Sequence, residues 1–143
     1  MSFDVKLDEN NDFVIASDGD ISKVEKVEKL EQDITKGLST TQGTNQLHPE
    51  YGLPELIGLP ITMDDEIISN KINNAITQLI FFIQNVQEVQ RRTQLVEPEE
   101  LALVVKSILS QRDTEDPRQF NCYVEVLSEQ ITKGASIMFS IVI

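Results

Sequence analysis

Two residue types that carry much of enzyme chemistry are almost missing here. The 143 residues hold one cysteine, Cys122, one histidine, His48, and no tryptophan. A lone cysteine excludes an intramolecular disulfide and a thiolate metal cluster. With a single imidazole, a zinc site would need several carboxylates, an uncommon ligand set. Cys122 stands in Phe120-Asn121-Cys122-Tyr123-Val124, which alternates as a strand does, so it reads as a small core hydrophobe. His48 belongs to a proline-containing turn far away in sequence, which argues against a Cys–His nucleophile pair. No run approaches the ~18 consecutive apolar residues of a membrane helix. The start, Met-Ser-Phe-Asp-Val-Lys, has neither the basic nor the apolar region of a secretory signal, so synthesis and folding in a cytosol are expected.

Phosphate-binding glycine loops and the His-Glu-x-x-His zinc motif are also absent. The acids of 12–20 lack the D-x-[DN]-x-[DN]-G spacing of a calcium loop. No cofactor or metal is therefore expected. Basic residues are scarce: 12 against 24 acids, for a formal charge of −12. Ten of the acids and four lysines fall in the first 33 residues, so half the excess lies there. Binding to nucleic acid or an anionic membrane by counterion release needs clustered Lys and Arg. The expected partners are proteins, and the same charge also serves solubility. Paired carboxylates can hydrolyse glycosides when held roughly 5–9.5 Å apart across a sugar cleft. With no Trp, and with Tyr51 and Tyr123 as the two tyrosines, that cleft chemistry is thin.

What is present reads as an α+β single domain, by size one folding unit over 1–143. Residues 3–7 and 12–16 alternate apolar and polar around Asp8-Glu9-Asn10-Asn11-Asp12, predicting an N-terminal hairpin over 3–16. Asp18-Gly19-Asp20 makes a second turn. Ser22-x-x-Glu25 matches a capping box, which starts a helix near Lys23. Val24, Val27, Leu30, Ile34 and Leu38 form its apolar stripe, Glu25 and Lys29 an i,i+4 pair, and Gly37 its stop, for a helix over 23–37. A glycine- and proline-punctuated loop spans 41–60, long enough to be unusual in a small domain. A second helix over 63–87 carries the stripe Ile68, Ile72, Ala75, Ile76, Leu79, Ile83 and Val86. Residues 101–109 suit helix or strand, and the β-branched pair Val104-Val105 favours strand. Alternation over 119–127 and 135–143, with a turn near Lys133-Gly134, completes a C-terminal antiparallel meander within 101–143.

Two short patterns between the helices add specificity. Leu38, Thr40 and Gly43 spell L-x-T-x-x-G, and Pro49, Tyr51 and Gly52 spell P-x-Y-G. In this order, after an amphipathic helix and with Asp18-Gly19-Asp20 ahead of it, they resemble the baseplate-wedge family of contractile phage tails, the gpW-like proteins also called sheath initiators. Two departures stand out. Many members have Glu after the first glycine, where this chain has Thr44. Many also carry Glu-Pro-Arg-Ile near the end of the second helix, where this chain has Ile80-Phe81-Phe82-Ile83.

The resemblance implies a non-enzymatic virion structural protein, a baseplate wedge subunit assembled in the host cytoplasm in multiple copies. Its implied partners are other wedge proteins, the tail sheath protein, and tube or hub proteins, with no nucleic acid and no membrane. In the family, Glu-Pro-Arg is implicated in docking onto the wedge's helical bundle. Phe81 and Phe82 are the expected replacement contact, with one ring in the core, because adjacent helical residues point about 100° apart. The last strand, Ser136, Ile137, Met138, Phe139, Ser140, Ile141, Val142 and Ile143, is expected to serve a partner by strand addition. On that expectation, deleting 136–143 would spare wedge incorporation and stop sheath assembly. Two rivals of other classes are a tail-associated lysozyme-like glycosidase and an acidic protein that mimics DNA.

Overall fold

The computed structural model describes residues 4–10, 12–24, 26–95, 102–128 and 134–143. Phe3, Asn11, Glu25, Leu101 and Lys133, each invoked above, lie outside the described residues.

The N-terminal hairpin is present but shares its strands more widely than expected. The Asp8 amide donates to the Asp12 carbonyl at 2.9 Å, and Leu7 bridges Phe13. A second tight turn follows, with Ile15 bridging Ile21 and the Ala16 amide donating to Asp20. Strands β1 (Asp4–Val5) and β2 (Lys23–Val24) then pair antiparallel. Phe13 and Ile15 remain exposed on this module. Polar clamps from the first helix hold it instead. Gln32 accepts from the Leu7 amide at 3.0 Å and donates to the Val5 carbonyl at 2.8 Å. Lys36 pairs with Asp4.

Helix α1 runs Lys26–Leu38, three residues later than the capping box implied. The main chain of Ser22 is already committed to strand pairing. Its amide donates to Val14 at 2.7 Å, and its carbonyl accepts from Lys6 at 2.9 Å. Ser22 therefore cannot cap a helix, and Val24 belongs to β2 rather than to the helical stripe. The chain turns into α1 through Lys26 at φ 58°, the left-handed region. Lys29 pairs with Asp33 at 3.0 Å. The helix ends at Leu38, one residue past Gly37, which lies buried in its last turn. A Cβ there would lie 2.9 Å from Leu79 Cδ1, so glycine allows α1 and the second helix to approach closely.

Helix α2 spans Asp65–Thr93, capped by Asp64, whose carboxylate accepts from the Glu66 amide at 3.0 Å. Its buried face is Ile68, Ile72, Ala75, Ile76, Leu79, Ile80, Ile83 and Gln87. Val86, read as part of the stripe, is 45% exposed. The helix outlasts its predicted end by six residues, because Gln, Glu and Arg favour helix without core burial.

Three strands finish the fold: β3 (Ala102–Arg112), β4 (Gln119–Ser128) and β5 (Gly134–Val142). They form an antiparallel meander in the order β3-β4-β5, confirming strand over helix for 102–112. One face carries Phe120, Cys122, Val124, Val126, Ala135 and Ile137 into the core. Helix α2 lies against β3, where Ser69 Oγ donates to the Ser110 carbonyl at 3.2 Å, and α1 lies against β5. The result is an α+β domain with two helices on one face of a small sheet.

Candidate functional site

The two motifs meet. Thr40 and Leu53 are joined by the Leu53 amide donating to the Thr40 carbonyl at 2.9 Å. The Gln42 amide returns a bond to the Leu53 carbonyl at 2.8 Å. The Gly43 amide donates to the Pro49 carbonyl at 2.9 Å, and Gln42 Nε2 donates to the Glu50 carbonyl at 3.3 Å. Thr41 and Leu53 thus make a short parallel bridge that clasps the loop ends together. Thr40 Oγ1 donates to the Lys36 carbonyl at 2.7 Å, fixing the clasp to the end of α1. Gly43 and Gly52, at φ +87° and +109°, occupy conformations that side chains rarely adopt. Leu38 packs against the core and Leu53 is buried in it. The long loop is therefore ordered by main-chain hydrogen bonds and anchored by two leucines.

Its tip covers one side of α2. Phe82 packs between Tyr51, at 5.7 Å between ring centroids, and His48, at 6.1 Å. Neither phenylalanine enters the buried core: Phe82 is half-buried beneath the loop, and Phe81 is 63% exposed. Sequence reasoning places Tyr51 as a cover for the end of the first helix; it did not foresee the meeting of His48 and Tyr51 with Phe82 on α2, because the segment has no periodicity. Beside the rings lies a cleft of about 340 Å³ between α1, the loop and α2. Lys29, Asp33, His48, Tyr51 and Gln87 are among its lining residues. Burial raises the Asp33 carboxyl against the pull of Lys29 and Lys36. Burial, with the Asp33 charge added, raises the Tyr51 phenol. Among the described residues, Asp33 is the single carboxylate lining this cleft, whereas glycoside hydrolysis uses two. A second groove of about 340 Å³, between the hairpin and α1, has Asp8, Glu9, Glu28 and Glu31 but, among the described residues, no aromatic lining. Among the described residues, no group of three or more His, Cys, Asp or Glu is placed to hold a metal ion.

Cys122 is buried, and burial pushes its thiol up to about 11. No helix among the described residues is long and apolar enough to cross a membrane.

Strand β5 is at an edge of the sheet. Its eight expected partner residues divide in two. Ile137 and Ile143 are core, and Phe139 and Ile141 pack against it, so their side chains face inward and are spent on folding. Ser136, Met138, Ser140 and Val142 are exposed. The partners of two main-chain amides fix which amides face outward. Ser136 N–H reaches away from β4 to Glu31 Oε1 at 3.4 Å, and Ile143 N–H reaches the Arg118 carbonyl next to β4 at 2.9 Å. Alternation along an antiparallel strand then directs the N–H and C=O of Met138, Ser140 and Val142 to the open side. Beside that open stretch lies a cavity of about 220 Å³ between the end of β5 and the loop.

Comparison with protein-family models gives no match, and comparison with curated proteins gives no significant one.

Proposed function

We propose that this chain is a structural subunit of a contractile-tail baseplate, or of a related injection system, on which sheath assembly starts by strand addition to β5. The observation that carries the reading is the edge position of β5, with the main chain of Met138, Ser140 and Val142 directed away from β4. Unpaired edge groups template another strand, and main-chain bonds supply the affinity. The clasp between Leu38-x-Thr40-x-x-Gly43 and Pro49-x-Tyr51-Gly52 supports it as well. It gives the two motifs of the family resemblance one structural role, that of holding the loop against α1.

Docking to wedge proteins falls to α2 in this reading. Phe81 stands where the family has the proline of Glu-Pro-Arg and is exposed, as is Val89 further along the helix. An apolar contact there replaces the charged one.

The test expresses this chain together with a contractile-tail sheath protein and views the products by electron microscopy. Ser140→Pro removes an outward amide and spares the β4 ladder, since proline is tolerated on an edge strand. Sheaths should nucleate on particles containing the parent chain and not on those with S140P at an unchanged melting temperature. Sheaths of normal length from S140P would overturn the proposal.

A further inference from the structure

The open edge of β5 is bounded at both ends, and the bounds differ in kind. At one end the Glu31 carboxylate occupies the Ser136 amide. An added strand meets a filled position there and can pair only beyond it. At the other end, Ser140, Ile141 and Val142 border the 220 Å³ cavity, whose far wall includes Leu53, Leu56 and Ile57. Ile141 faces the inner layer. Residues directly opposite one another across paired strands project to the same face. The residue of an added strand opposite Ile141 therefore sends its side chain into this cavity. Its lining mixes Leu53, Leu56 and Ile57 with Ser39, Thr40 and Thr41, and its volume has room for a single aliphatic side chain. Glu55 lines it too. From Ser136 to Val142 is ~20 Å of strand at about 3.3 Å per residue. Two carboxylates, Glu31 and Glu55, thus stand near the two ends of the open stretch.

We infer that β5 selects an extended segment of another protein by one aliphatic anchor, seated opposite Ile141 between Leu56 and Ile57, and by basic residues flanking a short apolar stretch. Glu31 sets the register by closing the Ser136 position. The inference rests on the reading of β5 as an augmented edge, and adds which strand that edge takes. Charge favours such a segment on a chain of net charge −12, since complementary charges steer encounter and reject wrong partners.

A displayed library of extended peptides, selected on the purified full chain and counter-selected on the S140P variant, tests it. The expected outcome is enrichment of peptides with one Val, Ile or Leu at a fixed distance from a Lys or Arg. Their affinity should fall at least tenfold on Ser39→Trp, which fills the cavity from the end of α1. The basic preference should weaken on Glu55→Gln. Peptides that depend on Ser140 but show no aliphatic or basic preference, and bind S39W unchanged, would overturn the inference and leave the edge reading standing. Failure to recover any S140P-sensitive peptide would overturn both.

Discussion

The Leu53 amide donates to the Thr40 carbonyl at 2.9 Å, and Gly52 sits so close beneath that carbonyl that a Cβ would lie 2.4 Å from its oxygen. The two motifs of the loop therefore meet at a point that only glycine fits. Backbone oxygen is the obstacle, so no side-chain rotation relieves it, and φ of +109° adds its own cost.

Gly52→Ala is expected to destabilise the fold by on the order of 3 kcal/mol, from left-handed strain and the displaced clasp together. That corresponds to a melting temperature lower by about 10 °C for a domain of this size. Gly43→Ala provides the comparison. A Cβ there meets nothing within 4 Å, so only the backbone strain remains, and the loss should be clearly smaller. Equal losses would show that the clash is not what matters.

Tyr51→Asp should loosen the loop from α2. The ring is half-buried against Phe82 at 5.7 Å, and a carboxylate put there would stand near the Asp33 charge. The expected loss is about 2 kcal/mol, read as a drop in melting temperature with faster hydrogen exchange at the Gly43 and Leu53 amides. An unchanged melting temperature would contradict the burial assigned to the ring.

Cys122 should be inert to thiol reagents in the folded protein. Its thiol is buried and raised to about 11, so little thiolate exists at pH 8, and reagents reach it poorly. Labelling should therefore follow the urea unfolding curve. Rapid labelling without denaturant would place the sulfur at the surface.

The Asp4–Lys36 pair ties the N-terminal module to α1. Burial alone would raise the Asp4 carboxyl, but bonds from Lys36 and the Val5 amide outweigh it and hold the carboxyl below its usual value of 3.8. A depressed acid contributes stability above its unfolded pKa and loses it as pH falls through the folded one. Lys36→Met should therefore cost most above about pH 5, with the urea midpoints of variant and parent converging as pH drops below 3.8. Because the pair is partly exposed, the difference should stay under about 1 kcal/mol. A constant difference across this range would assign the loss to packing.

Much of the fold was legible in the sequence where one period ruled a segment. The alternation of 119–127 and 135–143 gave β4 and β5 nearly to the residue, and the apolar spacing of Ile68 through Ile83 gave the buried face of α2. The start of α1 was misread because Ser22 satisfies a local capping pattern, while its main chain is claimed by Val14 and Lys6 from another part of the chain. Val86 keeps the helical period but falls where little packs against α2, whereas Gln87 is buried against expectation. The division of β5 into core-facing side chains and outward main chain follows from period 2 and one known edge. That edge depends on which strands neighbour it, a tertiary fact. It also corrects the expectation for removing 136–143. Since Ile137 and Ile143 are core, the deletion would unfold the domain, and a single proline is the sharper probe.

The outward amides of β5 have a consequence for how such a surface changes over time. Recognition through peptide groups places almost no demand on the identities of Met138, Ser140 and Val142, whose side chains point to the solvent face while their N–H and C=O groups remain available. Any residue except proline offers the same donor and acceptor there. These positions can change without altering the main-chain hydrogen-bonding pattern, and residue-by-residue similarity between distant chains can fade while the geometry of the edge persists.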